Sequence, residues 1–262
     1  MQVWAVANQK GGVGKTTSAV TLAGVLSQRG KSVLLVDLDP HGSMSAYFKL
    51  DPDTQEPSVY DLFQTPALPV QAVVMDTPVE GIKLIPSSTA IATLDRQLGT
   101  QEGKGLVIKK ALMGCEEQFD YCLIDCPPLL GILMVNALAA ASKLLVPVQT
   151  EFLAIKGLER MLHTLNMILR ARKDPLDYLI VPTMFDRRTR AAIQSLRQLR
   201  DSYTEHIWEG VIPVDTQFRE ASRKGAPITH VAASSRGAKA YAQLLDALTL
   251  PSNVSSISAI GH

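Results

Sequence analysis

The stretch that most constrains this chain is Val3-Trp4-Ala5-Val6-Ala7-Asn8-Gln9-Lys10-Gly11-Gly12-Val13-Gly14-Lys15-Thr16-Thr17, an apolar run that breaks into glycines and then into Lys-Thr-Thr. It reads as a strand, a phosphate loop and a helix start. Glycines let backbone N–H groups turn inward around an anion, and a helix opening at Thr16 adds the positive end of its dipole. In that frame Lys15 reaches the β- and γ-phosphates and the Thr16 hydroxyl ligates Mg²⁺.

The match is to the Gly-Lys-[Ser/Thr] end of the Walker pattern. The usual first glycine, five residues before Gly14, is Gln9 here, and a second lysine, Lys10, stands beside it. Two other readings compete. Gly12-Val13-Gly14 could begin a dinucleotide fingerprint, with Asp37 as the ribose acid; its third small residue would then be Thr17, and Lys15-Thr16 would have no purpose. A purely structural turn would leave two lysines repelling each other without an anion.

Lys10-Gly11-Gly12-Val13-Gly14-Lys15-Thr16-Thr17 resembles the deviant Walker A loop of the ParA/MinD ATPases. The resemblance implies an α/β fold with a doubly wound, mostly parallel sheet flanked by helices. It implies ATP and Mg²⁺ as ligands. It also implies an ATP-dependent homodimer, because in that family the early lysine reaches the partner subunit's nucleotide.

After the loop, Ala19, Leu22, Ala23 and Leu26 recur at helical spacing, with Gly30 beyond the last turn. Ser32 to Asp37 is a continuous apolar run suited to a parallel strand buried on both faces. It delivers Asp37 and Asp39 to the carboxyl edge of the sheet. Asp37-Leu38-Asp39-Pro40-His41-Gly42 resembles the family's switch I, which implies that Asp39 positions the attacking water and the Mg²⁺ shell. Read without the family, an Asp-Pro acid is a turn or cap residue, and His41 is a neutral surface histidine.

Residues 51 to 81 carry five prolines and read as loops with one short helix around Val59 to Phe63. A strand over Ile82 to Pro86 and a helical stretch containing Leu94 and Leu98 are expected next. A helix through Ile108, Leu112 and Met113 should end near Gly114. Phe119-Asp120-Tyr121-Cys122-Leu123-Ile124-Asp125-Cys126-Pro127-Pro128 resembles Walker B running into switch II, where Asp125 would hold Mg²⁺ across the site from Thr16. Alone, a strand-terminal Asp can equally cap the next helix.

Lys143 to Val148 reads as a buried strand, and Glu151 to Arg172 as a helix with a stripe of Ile155, Leu158, Leu162, Leu165 and Ile168. Tyr178 to Phe185 reads as a further strand, and its end at Thr183 is similar to the family's adenine-side segment. Val211-Ile212-Pro213 should close the sheet, and Pro213 resembles the segment whose backbone reads the base. The resemblance thus implies a nucleotide site of Gly11, Gly12, Val13, Gly14, Lys15, Thr16, Thr17, Thr183 and Pro213, with Lys10, Lys15 and Asp39 catalytic and Thr16, Asp39 and Asp125 at the metal.

A composition of 46% hydrophobic and 19% charged residues in 262 suits one large α/β domain, assigned to residues 1–250. A net charge of +1 gives no global drive toward nucleic acid or membrane. The cationic cluster is local: Arg187, Arg188, Arg190, Arg197, Arg200, Arg219, Arg223 and Lys224, facing six acids in the same span. It is either a solvated mixed surface or, as the resemblance implies, a nonspecific DNA-binding face using phosphates. Relatives often carry arginines after the Ile-Pro pair, where this chain has Val214-Asp215-Thr216-Gln217-Phe218.

Cys115, Cys122 and Cys126 lack convincing metal spacing and read as buried thiols. With no secretory signal and no apolar run of membrane length, a reducing cytoplasm is the expected compartment, at the nucleoid or a pole. Ser234 to Leu248 reads as a last amphipathic helix, and the uncharged tail, residues 251–262, as disordered. No basic amphipathic C-terminal helix marks a MinD-like membrane-cycling regulator. The reading is therefore a ParA-type ATPase with a stimulating adaptor or cargo protein. The rival class is a metabolic P-loop enzyme related to dethiobiotin synthetase.

Overall fold

The computed structural model describes residues 1–94, 97, 103–169 and 175–249. Seven strands form one sheet: β1 (Gln2–Val6), β2 (Val33–Asp37), β3 (Met75–Asp76), β4 (Ile82–Ile85), β5 (Tyr121–Asp125), β6 (Lys143–Gln149) and β7 (Asp177–Thr183). Their order is β3-β4-β2-β5-β1-β6-β7, parallel throughout except for β3 against β4. The helices of eight or more residues are α1 (Lys15–Gln28), α2 (Ile132–Ala140), α3 (Phe152–Leu169), α4 (Arg190–Ser202), α5 (Gln217–Lys224) and α6 (Arg236–Thr249).

The central strands are apolar at nearly every position because both sheet faces are covered. Successive residues alternate between two cores: Trp4 and Val6 pack on one face with α1 and α6, while Ala5 and Ala7 pack on the other with α2 and α3. β2 follows the same period, Leu34 and Val36 facing α2 and α3, Val33 and Leu35 facing α1.

Residues Ser18 to Leu26 of α1 are all buried, since the helix lies between the sheet and α6. Gly24 is required there. A Cβ at that position would come within 2.4 Å of Thr229 Oγ1 and 2.5 Å of Pro227 Cβ.

Several expectations need correction. Residues 51–81 hold, besides the 3₁₀ turn Val59–Phe63, a helical turn at Val70–Val73 and strand β3. A 3₁₀ turn, Thr89–Thr93, leads into helix at Leu94, as expected, while Leu98 lies outside the described residues, as do residues 251–262 and the side chain of Ile168. Val211–Pro213 does not close the sheet as a strand. Met184 turns into the left-handed region at φ 53, β7 ends at Thr183, and the later chain meets this edge through isolated parallel bridges, Ile180 with Ile207 and Phe185 with Pro213. The three cysteines are free and buried, as the sequence predicts.

Candidate functional site

Six parallel strands end at one edge of the sheet, and the candidate residues gather there, at strand ends, in the loops that follow and at the start of α1. Gly12 and Gly14, at φ 75 and 94, take conformations that side chains rarely adopt, and they turn the loop so that α1 starts at Lys15. Lys15 is 7% exposed and its Nζ lies 3.5 Å from the Lys10 carbonyl. Asn8, not singled out from sequence, anchors the loop entrance: its Nδ2 donates to the Pro147 carbonyl at 2.7 Å and its Oδ1 accepts the Lys10 N–H at 2.9 Å. The signal for it was a polar residue directly after an apolar strand.

Thr16 Oγ1 donates to Asp125 Oδ2 at 2.5 Å. Asp125 is fully buried, and its Oδ1 has no hydrogen-bond partner. Burial, then the charge of Asp37, pushes the Asp125 carboxyl well above the usual range, while Thr16 and Lys15 pull it back. Asp37 pairs with Asp125 in register and is pushed up to about 7, chiefly by burial, against hydrogen bonds from Ser45 and the Asp39 N–H. Buried carboxylates that converge with an open oxygen beside a hydroxyl fit a hard divalent cation. Among the described residues no cluster of three or more His, Cys, Asp or Glu gathers, so such a cation would draw its other ligands from nucleotide and water.

Asp39 reaches the same cleft, of ≈ 440 Å³, with Lys15, Thr16 and Pro128. Its Oδ1 accepts the His41 N–H at 3.0 Å and lies 2.8 Å from His41 Nδ1. The His41 ring is 78% exposed, as expected of a surface histidine, yet it touches the carboxylate assigned to catalysis.

An adjoining groove of ≈ 590 Å³ runs from Gly14 and Thr17 to Thr183, Pro213 and Arg219. Pro213 and Thr183 both line this groove, and the Thr183 hydroxyl also donates to the Val13 carbonyl at 2.9 Å, bracing the phosphate loop from β7.

Lys10 is not among the residues lining the phosphate cleft of its own chain. Its Nζ pairs with Glu151 Oε1 and lies 3.5 Å from Gln149 Oε1, both just past the end of β6 or at it. Exposed apolar residues Phe152 and Leu153 follow Glu151 directly, and Leu129, after Pro128, is also exposed. Sequence reading gave Glu151 no role, because nothing local marks it.

The cationic cluster is partly neutralised. Arg188 chelates Asp186 at 2.7 Å, Arg223 pairs with Glu220 at 3.0 Å and Arg200 with Glu209 at 3.7 Å. Among the described residues no ion pair engages Arg187, Arg190, Arg197 or Lys224. No described helix is long and apolar enough to cross a membrane.

A glycine loop with a buried lysine, a hydrogen bond from Thr16 at the start of α1 to Asp125 at the end of β5, and a sheet switch point together define a phosphate-loop nucleotide-binding protein of the α/β class. Residues 1–178 match the AAA domain family. The chain is 35% identical to the sporulation initiation inhibitor protein Soj of Bacillus subtilis over 93% of its length and 96% of that protein. It is 39% identical to the chromosome-partitioning ATPase Soj of Thermus thermophilus, over 92% of this chain and 93% of the relative. A solved structure described as cobyrinic acid a,c-diamide synthase from Mycobacterium smegmatis, with bound ATP analog and magnesium, superimposes with a TM-score of 0.82 at 34% identity. That likeness covers 95% of this chain and 94% of the other. The chain belongs to the Soj/ParA family of partitioning ATPases.

Proposed function

We propose that this protein is a ParA-type ATPase, its catalytic unit spanning residues 1–250, that binds ATP and Mg²⁺, dimerises around the nucleotide and positions an intracellular cargo. The observation that carries the reading is the division of labour between two lysines of one loop. Lys15 is buried against the phosphate loop, while Lys10 leaves its own cleft for Glu151 at the rim. A metabolic P-loop enzyme would need only the first.

In this mechanism the loop N–H groups and the α1 N-terminus hold the β- and γ-phosphates, with Lys15 among them. Thr16 and Asp125 would hold Mg²⁺, which would supply charge neutralisation on the phosphates when bound. Asp39 orients the water that attacks the γ-phosphorus, and the ADP oxygen leaves with the bond's electron pair. Lys10 of the partner subunit stabilises the charge that develops. Among the described residues no strong general base lines the cleft, so hydrolysis is slow and a stimulating protein sets its timing.

The dimer face is the rim around Lys10, where Leu129 (70% exposed), Phe152 (60%) and Leu153 (73%) would be covered by the second copy. The base lies in the groove beside Pro213. The unpaired cations of the 187–224 span give ATP-dependent, nonspecific contact with DNA phosphates, which would place the protein on the nucleoid. The cargo is a DNA segment or a protein assembly. α6 buries its apolar side, including Leu244, Leu245 and Leu248, in the core, so it offers no free apolar face to a membrane.

The test is light scattering and phosphate release with ATP, Mg²⁺ and Lys10→Ala. The reading requires an ATP-dependent dimer that Lys10→Ala abolishes; a variant that dimerises normally with ATP would favour the metabolic class.

A further inference from the structure

The peptide of Asp39 is held from both sides by buried groups. Its N–H donates to Asp37 Oδ1 at 3.2 Å, and its carbonyl accepts the Ser87 hydroxyl at 2.7 Å. Ser87 comes from elsewhere in the sheet, just after β4 and Pro86. Its N–H donates to Ser45 Oγ at 2.8 Å, and Ser45 in turn donates both its hydroxyl and its N–H to Asp37 Oδ2, each at 2.8 Å. Asp37, Ser45 and Ser87 are 0% exposed, so this ring exchanges none of its bonds with water.

The Ser45 hydroxyl donates to Asp37 Oδ2, and its oxygen accepts the Ser87 N–H. A carbonyl can only accept, so the Ser87 proton must point at Asp39. The Asp39 carboxylate itself is held by His41, two residues on in the same loop and largely exposed. The sheet therefore reaches Asp39 through its backbone alone, by way of Asp37 and Ser87.

We propose that Ser87 is a positioning residue for hydrolysis, acting through the Asp39 carbonyl to fix how the Asp39 carboxylate faces the phosphate cleft. The proposal rests on the reading of Asp39 as the water-orienting acid. Without the Ser87 hydroxyl the Asp39 carbonyl loses its buried donor and the peptide can rotate. Displacing a reacting group by about 1 Å can lower a rate by ~100-fold.

The test compares kcat, KM and the Kd for ATP with Mg²⁺ in wild type, Ser87→Ala, Ser45→Ala, Ser88→Ala and Asp39→Ala, with melting temperature followed for each. Ser87→Ala should lose at least about tenfold in kcat with KM and Kd unchanged, because it moves the attacking water and not the phosphates. Ser45→Ala should show the same split with a smaller loss. Ser88, whose hydroxyl only accepts the Ala90 N–H at 3.3 Å, is the neighbouring control and should leave all three parameters unchanged. Wild-type kcat in Ser87→Ala, or kcat and affinity falling together with stability, overturns the proposal. If Ser87→Ala does not fold, Ser45→Ala decides, and a wild-type kcat there overturns it. Asp39→Ala separates the two readings: if it keeps wild-type kcat the role of Asp39 itself fails, and if it is inactive while Ser87→Ala is active only the Ser87 proposal fails.

Discussion

Thr16 and Asp125 are 109 residues apart in the chain, yet the Thr16 hydroxyl donates to Asp125 Oδ2 at 2.5 Å beneath the phosphate loop. The other oxygen of Asp125 is buried and unpartnered, which fits the proposal that this pair holds Mg²⁺. Thr16→Ala should weaken Mg²⁺-dependent ATP binding by about 10- to 100-fold, the scale seen when support for a metal ligand is lost. Titrating a fluorescent ATP analogue with and without Mg²⁺ checks this. Equal affinity for variant and wild type in the presence of Mg²⁺ would refute it.

The Lys10–Glu151 pair is intramolecular in the single chain, with 35% and 40% of the two side chains exposed. Partly solvated pairs of this kind contribute about 0–1 kcal/mol, so the dimer can break it readily. Glu151→Gln should free Lys10 and tighten ATP-dependent dimerisation, by no more than about fivefold. Sedimentation equilibrium measures the change, and a weakened dimer would show that Glu151 serves the assembled state instead.

Phe152 and Leu153 stand exposed directly after Glu151. Phe152→Asp places a charge on the face that the partner should cover, and should abolish the ATP dimer while leaving nucleotide binding by the monomer intact. Light scattering alongside nucleotide titration separates the two effects. Loss of both would mean the residue acts on the cleft.

Hydrogen bonds from the Arg188 side chain, then its N–H, hold the Asp186 carboxyl down to about 2. A carboxyl depressed in the folded state stabilises above its unfolded value of 3.8, and that contribution is lost as pH falls through about 2. Arg188→Ala should return Asp186 toward 3.8, read by NMR titration of its carboxyl carbon. At neutral pH the same pair keeps Arg188 from anions, so Asp186→Asn should increase ATP-dependent retention on DNA, with a steeper salt dependence. No change in either quantity would remove Arg188 from the DNA-facing set.

Gly24 leaves no room for a side chain between α1 and the 227–229 segment. Gly24→Val should destabilise the protein by about 1–3 kcal/mol, the usual consequence of overpacking. Urea denaturation followed by circular dichroism gives the value, and an unchanged midpoint would contradict the close approach.

The phosphate loop, the acids at the ends of β2 and β5 and the two-faced burial of the central strands could all be read from the chain. Each depends on neighbours in sequence: glycines set a local turn, and an unbroken apolar run marks a strand with both faces covered. The strand expected at Val211–Pro213 failed for a reason that propensity does not carry, since Met184 adopts a left-handed turn and diverts the chain after β7.

Sequence by itself determined the nucleotide chemistry, because loop, lysine, hydroxyl and carboxylate announce themselves by residue type and local spacing. Tertiary structure alone decided which groups meet. Placing β5 beside both β1 and β2 sets Asp125 against Thr16 and Asp37, and the end of β6 gives Lys10 its partner Glu151. Packing β4 against β2 brings Ser87 to the peptide of Asp39. Strand order follows from how whole helices and sheet faces bury one another, and no local pattern encodes it.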